Sequence, residues 1–214
     1  MADRVPLDFD PPVRQVRALL LGIAEEDLTA PTPCPDWTVS TLLVHVMGLS
    51  SAFAAAARKA DDVPGTAGPP PPPSADDLPT HWRSRLPVLL AELATAWKDP
   101  AAWTGTATAG GVTMPAADMG VVAMNEVVLH GWDLAQATGQ EFFTDPRILE
   151  TLLEFISQGP AEGTPGMFGP MVEADDEATL LDQVVARAGR DPQWQRYGRR
   201  RRPGFTAPST SAAG

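Results

Sequence analysis

The chain of 214 residues holds one cysteine, one tyrosine and three histidines, and only two of its sixteen basic residues, Lys59 and Lys98, are lysines. Each scarcity excludes something. A single cysteine, Cys34, forbids an intrachain disulfide framework and a cysteine-rich zinc site. Any metal must therefore be held by histidine and carboxylate. A net charge of −11 argues against a nucleic-acid binder. No uninterrupted run of about 18 apolar residues is present, so no membrane span is expected. The opening "MADRVPLDFDPP" lacks the apolar stretch of a secretory signal, which places the protein in the cytoplasm. No repeat of about 20–50 residues is visible, and strand patterns are few.

What is abundant is alanine, proline, glycine and arginine, a bias that points to a high-GC bacterial genome. Six of the fourteen arginines gather in "GRDPQWQRYGRRRRPG" near the C-terminus. A contact with nucleic acid or another anion competes there with a solvated, fraying tail. The "TAPSTSAAG" that follows favours the tail.

Helical periodicity dominates the rest. Val13, Val16, Leu19, Leu20 and Ile23 predict a first helix over Val13–Ala24. "TAPTPCPDW" breaks the pattern, because its prolines remove donors and fix φ. A second helix is expected from about Thr38 to Ala60, capped by Asp36 or Thr38. "DDVPGTAGPPPPPSADD" then reads as a stiff polyproline connection rather than a docking site for an SH3-like partner. A third helix fits Pro79–Lys98, with a kink at Pro87. "DPAAWTGTATAGGVTMP" reads as a long loop. A fourth helix runs from Ala116 to Thr138 and stops at Gly139. "DPRILETLLEFISQ" and "DEATLLDQVVARAG" give two shorter helices. The fold class is all-α: a four-helix bundle over 1–140, up-and-down or with longer crossovers, a helical C-terminal extension over 141–198, and a disordered basic and polar tail over 199–214. Such a bundle leaves room for a homodimer without requiring one.

The fourth helix contains "NEVVLHGWDL", residues 125–134, in which Glu126 and His130 stand four apart among small apolar neighbours. At that spacing their side chains converge. Burying both without partners would cost several kcal/mol by the usual order of magnitude. A divalent cation would relieve that cost, and so would a salt bridge between them. Two ligands are too few for tight binding. Of the other histidines, His81 opens the third helix and faces solvent, whereas His45 borders the core side of the second. His45, Glu126 and His130 together would make a three-ligand site with an open position, the pattern of a catalytic zinc centre. The competing reading is a Glu126–His130 pair with His45 satisfied separately. Asp133, on the same face, either orients a ligand histidine or makes a helix-surface hydrogen bond. No catalytic side chain is assigned.

Two stretches carry a resemblance. "TAPTPCPDWTVSTLLVHVMG" resembles the N-terminal signature of the DinB-like, mycothiol-dependent maleylpyruvate isomerase superfamily, and "NEVVLHGWDLAQATGQ" resembles its second signature. Looser similarity through "MFGPMV" and "AGRDPQW" extends to a subgroup of actinobacterial members. The resemblance implies a DinB-like four-helix bundle with a divalent metal, usually zinc, at its open end. His45, Glu126 and His130 match the family's three ligands. It implies further a low-molecular-weight thiol such as mycothiol as cosubstrate, with S-transfer to, or cis–trans isomerisation of, an electrophilic small molecule. A metal-dependent hydrolase and a non-catalytic bundle binding a metal or small molecule are the alternatives. Cys34 matches a position in the family's turn that is not a ligand, and reads as packing in the bend. The maleylpyruvate isomerases themselves carry a C-terminal α/β domain of the sterol-carrier type with an arginine implicated in activity. Here the segment after Gly139 reads as helical and shorter, and that arginine matches no residue.

Overall fold

A computed structural model of the chain describes residues 5–60, 68–164, 169–175 and 177–195. Six helices and one hairpin occupy them: α1 (Asp10–Leu21), α2 (Val39–Ala57), α3 (Trp82–Ala96), β1 (Thr106–Ala109), β2 (Val112–Pro115), α4 (Ala116–Thr138), α5 (Pro146–Ser157) and α6 (Leu180–Arg187). The fold is all-α, as the periodicity requires, apart from that hairpin. The expected tail over 199–214, and the arginines from Arg196 onward, lie outside the described residues.

The helix ends follow local chemistry. α1 begins three residues earlier than expected because Pro11 and Pro12 lie in its first turn, where a missing N–H costs nothing. It stops at Gly22 rather than running on to Ala24. Thr38, not Asp36, caps α2: its Oγ1 accepts from the Thr41 backbone N–H, while Asp36 occupies the left-handed region at φ 64°. α3 continues through Pro87. α4 spans Ala116–Thr138 and ends with Gly139 at φ 67°, closed by the Gln140 N–H on the Ala135 carbonyl.

The segment read as a long loop is in part a two-stranded antiparallel hairpin, with Ala109 paired to Val112 across Gly110–Gly111. Both glycines have positive φ, 59° and 79°, as a tight two-residue hairpin turn demands. Ala107 and Ala109 point inward, against α2 and α4.

α1 and α2 each pack on both α3 and α4. Consecutive helices α1 and α2 therefore are not neighbours, and the bundle uses crossover connections rather than a plain up-and-down path. α4 is its central element, with 19 of its 23 residues buried. Two glycines allow that seating. A Cβ on Gly120 would lie 2.5 Å from the Trp103 ring, and one on Gly131 would lie 2.6 Å from Phe142 Cε2. Trp97 stacks on Phe9 at 5.8 Å and accepts a hydrogen bond from Trp103 Nε1 at its carbonyl. Among the described residues α2 is the one helix long and apolar enough to cross a membrane, with mean hydropathy 1.6, although Ser40, Thr41, His45, Ser50 and Ser51 interrupt its apolar run. Two thirds of that stretch is buried inside the bundle, so core packing accounts for its composition.

α5 packs on α4, and α6 packs on α5. Ile148, Leu149, Leu152, Ile156, Val184 and Val185 join the same core as the bundle. α6 closes in a Schellman motif: Gly189, at φ 84°, donates to the Ala186 carbonyl, and Arg190 donates to the Val185 carbonyl. That turn sends the Arg190 side chain back toward α4.

Candidate metal centre

α2 and α4 lie side by side, and each contributes to one polar cluster. Glu126 and His130 are one turn apart on α4, with His130 Nε2 3.0 Å from Glu126 Oε2. His45, from the middle of α2, brings its Nε2 to 3.8 Å from the same oxygen. The donor atoms of all three lie within 4.8 Å of one another. A tetrahedral ion with bonds of about 2.0–2.2 Å separates its ligand atoms by about 3.4 Å. The two distances bracket that value, and two imidazoles with one carboxylate are a donor set suited to zinc. The three residues present fit a divalent cation. His130 is buried, whereas the side chains of His45 and Glu126 keep 21% and 18% of their surface exposed, so the cluster opens on one side. His81, the remaining histidine, is exposed.

The turn before α2 builds the wall of the cluster. Thr32 ties it together: its N–H and Oγ1 both donate to the Trp37 carbonyl, and its Oγ1 accepts from the Cys34 N–H. Trp37 then lies against both imidazoles, 4.7 Å from the His45 ring and 6.2 Å from that of His130. Nothing in the residue spacing had marked Trp37 as part of a site.

Behind His130 sits a second group. Its Nδ1 is 2.9 Å from Asp133 Oδ2, and Asp133 is fully buried. Of the two readings of Asp133, hydrogen bonding to a candidate ligand is the one the geometry has. The same oxygen accepts from Cys34 Sγ at 3.0 Å and from Arg190 Nη2 at 3.2 Å. Cys34, His130 and Asp133 could by proximity alone hold an ion. The Arg190 guanidinium already stands beside Cys34 and pairs with the Asp133 charge, so this group reads as a hydrogen-bonded support. Arg190 corrects the sequence reading of the basic cluster as a solvated tail, because its side chain is only 11% exposed. Breaking a buried ion pair of this kind costs about 3–5 kcal/mol, because the surviving charge is left alone.

The charges in the cluster are strongly coupled. Burial opposes ionisation of Glu126, but the His130 imidazole at 3.0 Å and then that of His45 at 3.8 Å outweigh it and hold the carboxyl far below the usual range. Burial likewise opposes charge on His130, yet Asp133, Cys34 and Glu126 push it well above the ordinary histidine value of 6.5. Against burial, Arg190 and then His130 keep Asp133 ionised. The sign of the consequence for the metal-free protein follows. The stability that charged His130 contributes is complete below its unfolded value and is lost as pH rises through the raised one. The contributions of Glu126 and Asp133 are complete above the ordinary carboxylate range and are lost as pH falls toward their depressed values. Thermal melts of chelator-treated protein should therefore decline from near neutrality into alkaline solution, with a slope of up to about 1.4 kcal/mol per pH unit for the one proton. A flat profile through that range would show that His130 is not held between two carboxylates.

Comparison with known proteins rests on the same helices. The family "Mycothiol maleylpyruvate isomerase N-terminal domain" matches residues 9–135, which takes in α1 to α3, α4 as far as Ala135, and all three candidate ligands. The chain belongs to that family. Two uncharacterized proteins of Mycobacterium tuberculosis, from strains CDC 1551 / Oshkosh and ATCC 25618 / H37Rv, are each 28% identical over 179 residues, covering 81% of this chain and 90% of theirs. A crystal structure of the mycothiol-dependent maleylpyruvate isomerase superposes with a TM-score of 0.56 at 22% identity, over 85% of this chain and 86% of that one. Its H52A mutant gives 0.51 at 22% identity, over 71% and 70%. At that identity the likeness is one of fold, and it extends the family's DinB-like helical architecture to this chain.

Proposed function

We propose that this chain is a divalent-metal-dependent enzyme that uses a low-molecular-weight thiol of the mycothiol kind to isomerise, or to transfer sulfur to, an electrophilic small molecule. The observation that carries the proposal is the convergence of His45, Glu126 and His130 on a partly open space beside Trp37, in a chain of the mycothiol maleylpyruvate isomerase family. These three side chains would hold the ion, with zinc the best match to their chemistry. A divalent cation supplies Lewis acidity, which favours the deprotonated form of a coordinating thiol or water at neutral pH.

The chain's own groups set the rest. The Asp133 carboxylate accepts the Nδ1 proton of His130, which leaves Nε2 facing Glu126 and the open space. Trp37 walls one side of both imidazoles. Cys34 is behind His130, buried and committed to Asp133, so it is not the nucleophile and the sulfur must arrive with a cosubstrate. In the isomerisation, that sulfur adds to one carbon of a conjugated alkene and the π pair moves to the activating carbonyl. The former double bond rotates. The C–S bond then breaks, the alkene re-forms and the thiol is released unchanged. In the transfer, a proton from solvent completes the saturated thioether instead.

Residues 1–140 are taken as the metal-binding unit and 141–198 as an extension docked on it. A cytoplasmic setting, where small thiols stay reduced, fits the one free cysteine. The test is zinc-loaded protein assayed against a thiol panel and an activated cis-alkene. Turnover should require both thiol and metal, and His45→Ala should reduce it to background. Zinc-dependent hydrolysis without any thiol would replace this reading with that of a hydrolase.

A further inference from the structure

We propose that Arg190 is a positioning residue for the candidate metal centre, acting through Asp133 to hold the His130 imidazole in place. The proposal rests on the reading of His45, Glu126 and His130 as ligands, and it adds a contribution from the C-terminal extension. Asp133 Oδ2 lies between two donors, His130 Nδ1 at 2.9 Å and Arg190 Nη2 at 3.2 Å. Both partners of the Asp133–Arg190 pair are withdrawn from water, at 0% and 11% exposure. The carboxylate therefore has no solvent to stabilise it if the guanidinium leaves.

Arg190 is itself fixed from two directions. The Schellman turn at Gly189 sets its backbone. A Cβ on Gly189 would lie 2.7 Å from the Gly169 backbone, so the segment before α6 is packed directly on that turn. At the other end, Nη1 donates to the Ala188 carbonyl at 3.1 Å, and Nη2 also reaches Cys34 Sγ at 3.6 Å. A guanidinium can make these contacts together because its donors are held in a plane, which a lysine ammonium cannot copy. The pair joins positions 57 residues apart. Through it, the docking of the α5–α6 extension becomes a condition for the orientation of a candidate ligand on α4. A partner hydrogen-bonded behind a metal-ligating histidine typically changes metal affinity by about 10–100-fold.

Two measurements on the full chain test this. The first is the zinc affinity of folded protein, by competition with a chromogenic chelator. Arg190→Met should weaken binding by about 10–100-fold, Asp133→Asn should do the same, and Arg190→Met added to Asp133→Asn should cost nothing further. Arg190→Lys should fall between wild type and Arg190→Met. The second uses metal-free protein: the ring N–H of His130, seen by nitrogen-correlated NMR, should be slow to exchange in wild type and fast in Arg190→Met. If Arg190→Met melts lower yet keeps zinc affinity within about twofold and leaves the His130 N–H protected, Arg190 is only a clamp and the proposal fails. If Arg190→Met does not fold, the double variant, which buries no lone charge, is compared with Asp133→Asn. A further loss of affinity in the double variant would also overturn action through Asp133. Should wild type bind no zinc, the reading of the ligands fails, and the metal-free NMR comparison alone decides the role of Arg190.

Discussion

His130→Ala is expected to abolish the zinc binding proposed for the His45–Glu126–His130 cluster. Wild-type protein purified with zinc should carry close to one ion per chain, and the variant less than about a tenth of that. The affinity should fall by more than about 100-fold, because removing a hydrogen-bond partner behind a metal-ligating histidine already costs about 10–100-fold and here the proposed ligand itself goes. Elemental analysis after gel filtration gives the stoichiometry, and chelator competition gives the affinity. His81→Ala is the control: that histidine is exposed and stands apart from the cluster, so its loss should leave the stoichiometry unchanged. Retention of one zinc per chain by His130→Ala would place the ion elsewhere.

Gly131→Val should destabilise the fold by about 3 kcal/mol, the upper end of the usual cost of overpacking. The position directly follows His130 and has no room for a side chain. Even a Cβ would come within 2.6 Å of Phe142 Cε2 and 2.9 Å of Val16 Cγ2, both on buried residues. Replacing glycine inside a helix normally stabilises by roughly 0.5–1 kcal/mol, which is too small to offset the clash. For a chain of this size the melting temperature should drop by on the order of 10 °C, by calorimetry or circular dichroism. An unchanged melting point would show that α4 is not seated this closely against α1 and the Phe142 segment.

Which parts of this arrangement could be read in the chain depends on how local their causes are. The helices were legible because apolar periodicity and caps act within a few residues, and α4 begins and ends where its pattern does. The hairpin is hidden because two four-residue strands, TATA and VTMP, are too short to carry a periodic signal. The Gly110–Gly111 pair was the clue to it. The packing order α1–α3–α2–α4 was not legible, since nothing local distinguishes a crossover from a plain return.

For the site, Glu126 and His130 were legible from one-turn spacing, and His45 from the scarcity of histidines. Their meeting across two helices is a tertiary fact that only coordinates supply. Arg190 was pooled with the arginines that follow it because composition cannot separate a buried guanidinium from a solvated one. Its distinguishing mark was the glycine before it at the end of a short helix, the signature of a chain reversal. Cys34, read as packing, does pack in the bend, and its thiol also donates to Asp133.

The meeting of three donors on one oxygen of Asp133 has a consequence for biosynthesis. Cys34 and His130 emerge from the ribosome before or with the bundle, but Arg190 follows Asp133 by 57 residues. A nascent chain ending short of Arg190 must keep that carboxylate inside the bundle without its guanidinium. The Asp133 pocket is therefore completed only by the last described stretch to be translated, and under the proposed role of Arg190 an ion arriving earlier would meet an imidazole not yet braced.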